Sequence, residues 1–313
     1  IPITRPVLGD EEHRAVGEVI ASGWVAQGAR VKQFEHAVGR HVGADHAVAV
    51  SSGTAALHLA LVAHGVGPGD AVVVPALSFI ASANVVRHAG ARPLFADVDP
   101  RTFNVTAATV ARALSSDTRA ILAVHQLGLA ADLEPLVELT RERGLLLLQD
   151  AACALGAEYR GARVGGGYGT CCFSFHPRKI ITTGEGGMIT TNDEALADRL
   201  RCLRNQGLGA DAYTRHGAIV TRPLRYSELG YNYRLTDLQA AVGLAQMDRL
   251  DGLVARRREL AARYDAQLAA VDGVTAVAEP AWARHAYQSY MILLDDGSRR
   301  DEVMTRMHAD GIT

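Results

Sequence analysis

Ala47-Val48-Ala49-Val50-Ser51-Ser52-Gly53-Thr54-Ala55-Ala56-Leu57-His58-Leu59 decides the fold. A short apolar strand runs into a turn of small residues, and Thr54 opens a helix whose apolar positions continue to about His64. The same beat repeats outward. Strands are expected at Ala71–Val74, Pro93–Ala96, Ala120–Val124 and Leu145–Leu148, with helices over Ala81–His88 and Leu133–Arg143 between them. Strand, helix, strand at this interval predicts a mostly parallel sheet sandwiched by helices, an α/β fold. Gly67-Pro68-Gly69-Asp70 and Asp97-Val98-Asp99-Pro100 supply the turns. Residues 1–45 read as an arm with amphipathic helix, and 1–235 as one large domain. From Leu235-Thr236-Asp237-Leu238 the pattern changes to long helices reaching about Val271, then a strand over Gln288–Leu294 and a helix over Asp301–His308. These are read as the start of a smaller α+β domain over 236–313. Ile1 in place of Met, and a last helix running straight into Gly311-Ile312-Thr313, point to further segments beyond this sequence.

The composition excludes several classes. With 313 residues, 48% hydrophobic and 21% charged, the chain has ample means to bury a core. A net charge of −2 leaves no basic field for nucleic acid or an anionic membrane. No unbroken apolar run, Leu145–Leu148 among them, approaches the length needed to cross a bilayer, and no charged-then-apolar leader opens the sequence as given. A cytoplasmic protein is the expectation. Cys153, Cys171, Cys172 and Cys202 form no C-x-x-C pair and are expected as reduced thiols.

Lysine usage points to chemistry. Of 32 basic residues all but Lys32 and Lys179 are Arg. Guanidinium cannot replace an amine that must lose its proton and attack a carbonyl, so each surviving lysine is a candidate. Lys32 falls off the apolar face of Val31, Phe34 and Val38 and reads as solvated. Lys179 lies between the strand-like Phe173-Ser174-Phe175 and the glycine-rich Gly184-Glu185-Gly186-Gly187, in the kind of connection on which sites are built.

Other elements can share that site. Gly53 and Thr54 open a helix after a strand, where unpaired N–H groups and the macrodipole favour a phosphate, although such turns serve structure as often. No lysine follows as in a Walker loop, and Gly165-Gly166-Gly167-Tyr168-Gly169 lacks the dinucleotide order. Asp150 stands just past an apolar strand, either as a turn cap or as the partner of a cation such as a protonated pyridine nitrogen. Ser174, five residues before Lys179, offers a hydroxyl, and Gly230-Tyr231-Asn232-Tyr233-Arg234-Leu235 sets polar groups among aromatics.

Taken together, these segments resemble the sugar aminotransferases of the DegT/DnrJ/EryC1/StrS family, pyridoxal 5'-phosphate (PLP) enzymes with the aspartate aminotransferase fold, PLP fold type I. The likeness starts at Gly23-Trp24 and continues through Ser52–Ala56, Pro75–Phe79, Asp150-Ala151-Ala152, Ser174–Lys179 and Thr183–Gly187 to Tyr231–Ala241. It implies that Lys179 forms the Schiff base with PLP and later moves the substrate proton, and that Asp150 keeps the pyridine nitrogen protonated. It further implies that Gly53, Thr54 and Ser174 hold the phosphate and that Phe79 stacks on the ring. Standing alone, Phe79 reads as a core aromatic. Asn232 matches a residue lent to the phosphate of a neighbouring subunit, which implies a homodimer with shared sites. The implied reaction is ping-pong transfer of an amino group from L-glutamate or L-glutamine to a keto group of a nucleotide-linked deoxysugar or related cyclic polyol.

Departures from the family pattern mark this chain. Cys153 takes a cofactor-contacting position commonly held by Gln or His, and a thiol is a poor partner for the ring hydroxyl. Gln149 replaces a common acid, and Gln126-Leu127 replaces an aromatic-containing stretch after His125. A PLP- or PMP-dependent dehydratase and a PLP-binding regulator without turnover are the rival readings; Lys179 argues against the sugar dehydratases that carry His in its place. Arg215, Arg222 and Arg225 are candidates to meet a substrate diphosphate, or solvated loop charges.

Overall fold

Alternation along β1 (His46–Val50) sends Ala47 and Ala49 to one side of a sheet and Val48 and Val50 to the other, all buried. In the computed structural model, which describes residues 4–208 and 225–312, that strand is one edge of seven. The others are β2 (Ala71–Pro75), β3 (Arg92–Ala96), β4 (Thr118–Val124), β5 (Leu146–Asp150), β8 (Thr170–Ser174) and β9 (Gly187–Thr191). Between β5 and β8 lie the short β6 (Glu158–Tyr159) and β7 (Ala162–Arg163). The order is β1-β9-β8-β5-β4-β2-β3, and only β9 runs against the rest. The expected mostly parallel sheet is therefore found.

Among the described residues the helices are α1 (Asp10–Ser22), α2 (Ala29–Val42), α3 (Gly53–Ala63), α4 (Ala81–His88), α5 (Ala107–Ala113), α6 (Leu133–Arg143), α7 (Glu194–Leu203), α8 (Asp237–Met247), α9 (Leu250–Leu268) and α10 (Arg300–Ala309). On one face Leu59 of α3, Val85 of α4 and Leu200 of α7 pack with Val48, Val72 and Ile189. On the other, Phe34 of α2, Ala240 of α8 and Val254 of α9 pack with Phe173, while Val110 of α5 and Leu136 of α6 meet Ile121. Three layers with helices on both faces result. Among the described residues no helix is long and apolar enough to cross a membrane.

The outer edge of β1 is closed by a buried ion pair. Glu35 Oε1 accepts the Ala49 N–H at 2.8 Å, and Arg204 Nη1 donates to the Ala49 carbonyl at 2.7 Å and to Glu35 at 2.5 Å. The Arg204 and Glu35 side chains are 1% and 12% exposed, so the pair supplies hydrogen bonds that a further strand would otherwise take. Past α9, β10 (Val274–Ala276) pairs antiparallel with β12 (Ile292–Leu294), and β11 (Ala283–Arg284) joins β6. The expected strand over Gln288–Leu294 is shorter than the pattern implies. At Gln288 the chain is still docked on the sheet domain: its carbonyl accepts from Arg257 and its side-chain amide donates to the Arg178 carbonyl at 2.8 Å. Gly128, at φ 101°, permits that docking, because a Cβ there would lie 2.9 to 3.2 Å from the backbone of Cys153, Tyr287 and Gln288.

Candidate active site

Six strands share one direction, so the carboxyl ends of β1, β2, β4, β5 and β8 open on one side, where sites of parallel sheets gather. The register brings specific residues together there. Gly187 of β9 lies opposite both Val50 of β1 and Ser174 of β8, and Cys172 of β8 lies opposite Asp150 of β5.

At the end of β1, Ser52 caps α3 by accepting the Ala55 N–H at 3.0 Å. Gly53 and Thr54 occupy the first helical positions, whose N–H groups have no partner within the helix. A Cβ on Gly53 would stand 2.7 Å from that of Ser174, so the absent side chain lets the helix start close against the serine. Paired backbone donors and a hydroxyl thus form a cradle suited to a phosphate.

Asp150 ends β5 and is 6% exposed. Its Oδ1 accepts the Ala152 N–H at 3.1 Å, and its Oδ2 accepts from Ser82 at 2.8 Å. Burial pushes the carboxyl above the usual carboxylate range, while the two donors and the charge of Lys179 pull it back. A buried acid that is incompletely paired in this way suits a cationic ring nitrogen. Lys179 Nζ donates to Cys153 Sγ at 3.2 Å. Burial raises the Cys153 thiol, with Lys179 opposing, so the lysine's partner stays a neutral thiol and does not trap the ammonium as an ion pair. Lys32, the other lysine, is exposed on α2.

Phe79 is 76% exposed in the turn after β2, which rules out the core-aromatic reading. Asn232 is also exposed, on a segment that bridges Asn205 and follows Tyr231. Arg225 is exposed, whereas Arg215 and Arg222 lie outside the described residues. Gln149 is fully buried, accepts from His125 Nε2 at 3.0 Å and donates to the Tyr168 carbonyl at 2.8 Å. His125 Nδ1 accepts the Ala131 N–H at 3.0 Å, which fixes the tautomer and leaves Nε2 as donor. Gln149 therefore meets a neutral imidazole, and a carboxylate is not needed there.

Sequence reasoning missed Ser82 and Ser78. The signal was a serine beside Ala81, Val85 and Val86 on the buried face of α4, a polar group that has to find a partner in the interior.

Comparison with known proteins agrees with this geometry. The GDP-perosamine synthase of Caulobacter vibrioides is 42% identical over 317 residues, covering 100% of this chain and 82% of that protein. The aminotransferase TlmJ of Streptoalloteichus hindustanus superposes with a TM-score of 0.92 at 38% identity, over 99% of this chain and 83% of that one. A Streptococcus pneumoniae protein solved in its PLP-form has a TM-score of 0.92 at 27% identity, over 100% of this chain and 83% of that one. Residues 6–313 match the sequence profile of one family, and with the sheet order, the strand-end lysine and aspartate and these relatives in accord, the chain belongs to the DegT/DnrJ/EryC1/StrS aminotransferase family of PLP-dependent enzymes.

Proposed function

We propose that this sugar aminotransferase-family enzyme transfers an amino group from L-glutamate or L-glutamine to a keto group of a nucleotide-linked deoxysugar or related cyclic polyol, with PLP held at the strand ends and Lys179 as the reacting amine. The observation that carries this reading is the placement of Lys179 and the buried Asp150 beside Cys153, close enough for the lysine's charge to act on both. The name of the Caulobacter relative, a GDP-linked sugar synthase, supports the acceptor class.

Bound PLP supplies a carbonyl that exchanges for an amine and a protonated ring that takes up the electron pair left when a proton leaves the substrate carbon. The N–H groups of Gly53 and Thr54 and the Ser174 hydroxyl bind its phosphate. Asp150 holds the proton on the ring nitrogen. Phe79 would offer the ring an exposed aromatic face. Lys179 Nζ would take the proton from the substrate carbon and return it on the other side of the transfer. Cys153 accepts from Lys179 and gives it up without an ion pair to break. Asn232 serves the phosphate of a second copy of the chain in a homodimer.

An absorption spectrum tests the reading. The purified protein with PLP is expected to show the visible band of lysine-bound cofactor, bleached by L-glutamate, and to sediment as a dimer. Lys179→Ala is expected to lack the band. A wild-type band that no amino donor bleaches would return the assignment to an eliminating enzyme or a sensor.

A further inference from the structure

Ser82 lies in the first turn of α4 and is 1% exposed. A helical serine commonly returns its proton to a carbonyl one turn back. Here the proton goes instead to Asp150 Oδ2, at 2.8 Å and 68 residues along the chain. Ser78 Oγ lies 2.8 Å from Ser82 Oγ. Since the single hydroxyl proton of Ser82 is spent on the carboxylate, Ser78 must donate to Ser82, and the two hydroxyls form a one-way chain ending on Asp150. Such chains polarise each link in turn, so the outer hydroxyl strengthens the inner bond.

Each Asp150 oxygen then has one anchor, the Ala152 N–H on Oδ1 and the serine chain on Oδ2, which sets the plane of the carboxylate. The same turn carries Phe79 between the two serines, and the Ser82 N–H donates to the Phe79 carbonyl at 3.1 Å. One hydroxyl pair therefore ties the carboxylate at the end of β5 to the aromatic residue after β2.

Resting on the PLP reading above, we propose that Ser82, backed by Ser78, is a positioning residue that aims the Asp150 carboxylate at the cofactor ring nitrogen. Neither serine reaches the reacting atoms; both act through Asp150.

The test uses the holoenzyme with PLP labelled with nitrogen-15 in the ring. In the wild type the ring nitrogen is expected at the chemical shift of a protonated pyridine. Ser82→Ala is expected to move that resonance toward the unprotonated position and to weaken PLP binding about tenfold, as for loss of one hydrogen bond to a charged group. Ser82→Thr, which keeps the hydroxyl, is expected to restore both. Ser78→Ala is expected to shift the resonance the same way by a smaller amount, and this half-buried site carries the comparison if Ser82→Ala does not fold. A Ser82→Ala holoenzyme, or a Ser78→Ala one in its place, with the wild-type shift and affinity overturns the proposal while leaving the PLP reading intact. A wild type that binds no PLP overturns both.

Discussion

Asp150 is a carboxylate that the protein without cofactor holds against its own stability. Its folded pKa is raised, with burial the largest cause, so above the unfolded value of about 3.9 the folded state binds the extra proton and the unfolded state does not. Stability contributed by the protonated group is present at low pH and is lost as pH rises from there through the folded value. Asp150→Asn removes this opposition. The apoprotein variant is expected to melt a few degrees higher than wild type at about pH 8 and to lose that advantage near pH 4, as read by calorimetry. The glutamate half-reaction of the same variant is expected to slow by roughly 10² to 10³, the range for removing one preorganised electrostatic partner. An apo Asp150→Asn protein less stable than wild type at pH 8 would show that Ser82, Ala152 and Lys179 already satisfy the carboxylate. At this scale Lys179, Asp150 and Ser174 could be named as candidates from the sequence because the chemistry proposed for them admits few substitutes. Ser82 was not, since its place on the apolar face of α4 says that it needs a buried partner but not that the partner is Asp150, 68 residues along the chain.

Elements here are held by side chains from distant parts of the chain. Asp237, the first residue of α8, accepts the N–H groups of Gly28 at 2.8 Å, Val31 at 3.0 Å and Arg30 at 3.2 Å, and so caps α2. It is 3% exposed, and nothing in α2 supplies a substitute, since its own N-cap is Gly28. Asp237→Ala leaves three backbone donors without this acceptor; the bonds are not additive, and a loss of about 3 kcal/mol is expected in urea unfolding. Asp237→Asn keeps an acceptor and is expected to lose about half as much. Equal losses for both variants would make the charge, and not the cap, responsible. The strand and helix rhythm over residues 46–150 was readable because apolar period alone specifies it. The cap was not, because Thr236-Asp237 reads as the start of its own helix, and its service to α2 depends on how α2 and α8 pack. The short β12 belongs to the same class: Gln288 carries a strand-like neighbourhood, and contacts with Arg257 and Arg178 take it out of the strand.

Across the whole molecule, buried neutral histidines set the response to acid. His125, fully buried at the end of β4, has its pKa lowered by burial to about 4, with the Gln149 hydrogen bond opposing. His285, 2% exposed where the chain returns to Gly128, is lowered to about 3 by burial and then by the Arg258 charge. His41, His58 and His64 are lowered in the same sense, chiefly by burial. Below about pH 6.5 the unfolded chain takes up protons that the folded chain refuses, so stability present at neutral pH is lost as pH falls from 6.5 toward 4. Each of the two most shifted groups contributes a slope approaching about 1.4 kcal/mol per pH unit in that window, opposite in sign to the Asp150 contribution. Urea midpoints measured between about pH 7.5 and 5 are expected to fall steeply, and His125→Gln, which retains a donor toward Gln149, is expected to remove about one proton from the slope. An unchanged slope in that variant would mean that His125 is protonated in the native state. The loss would then originate at the junction held by His285, where Tyr287 donates its N–H to the ring and Arg258 leaves no room for a second positive charge.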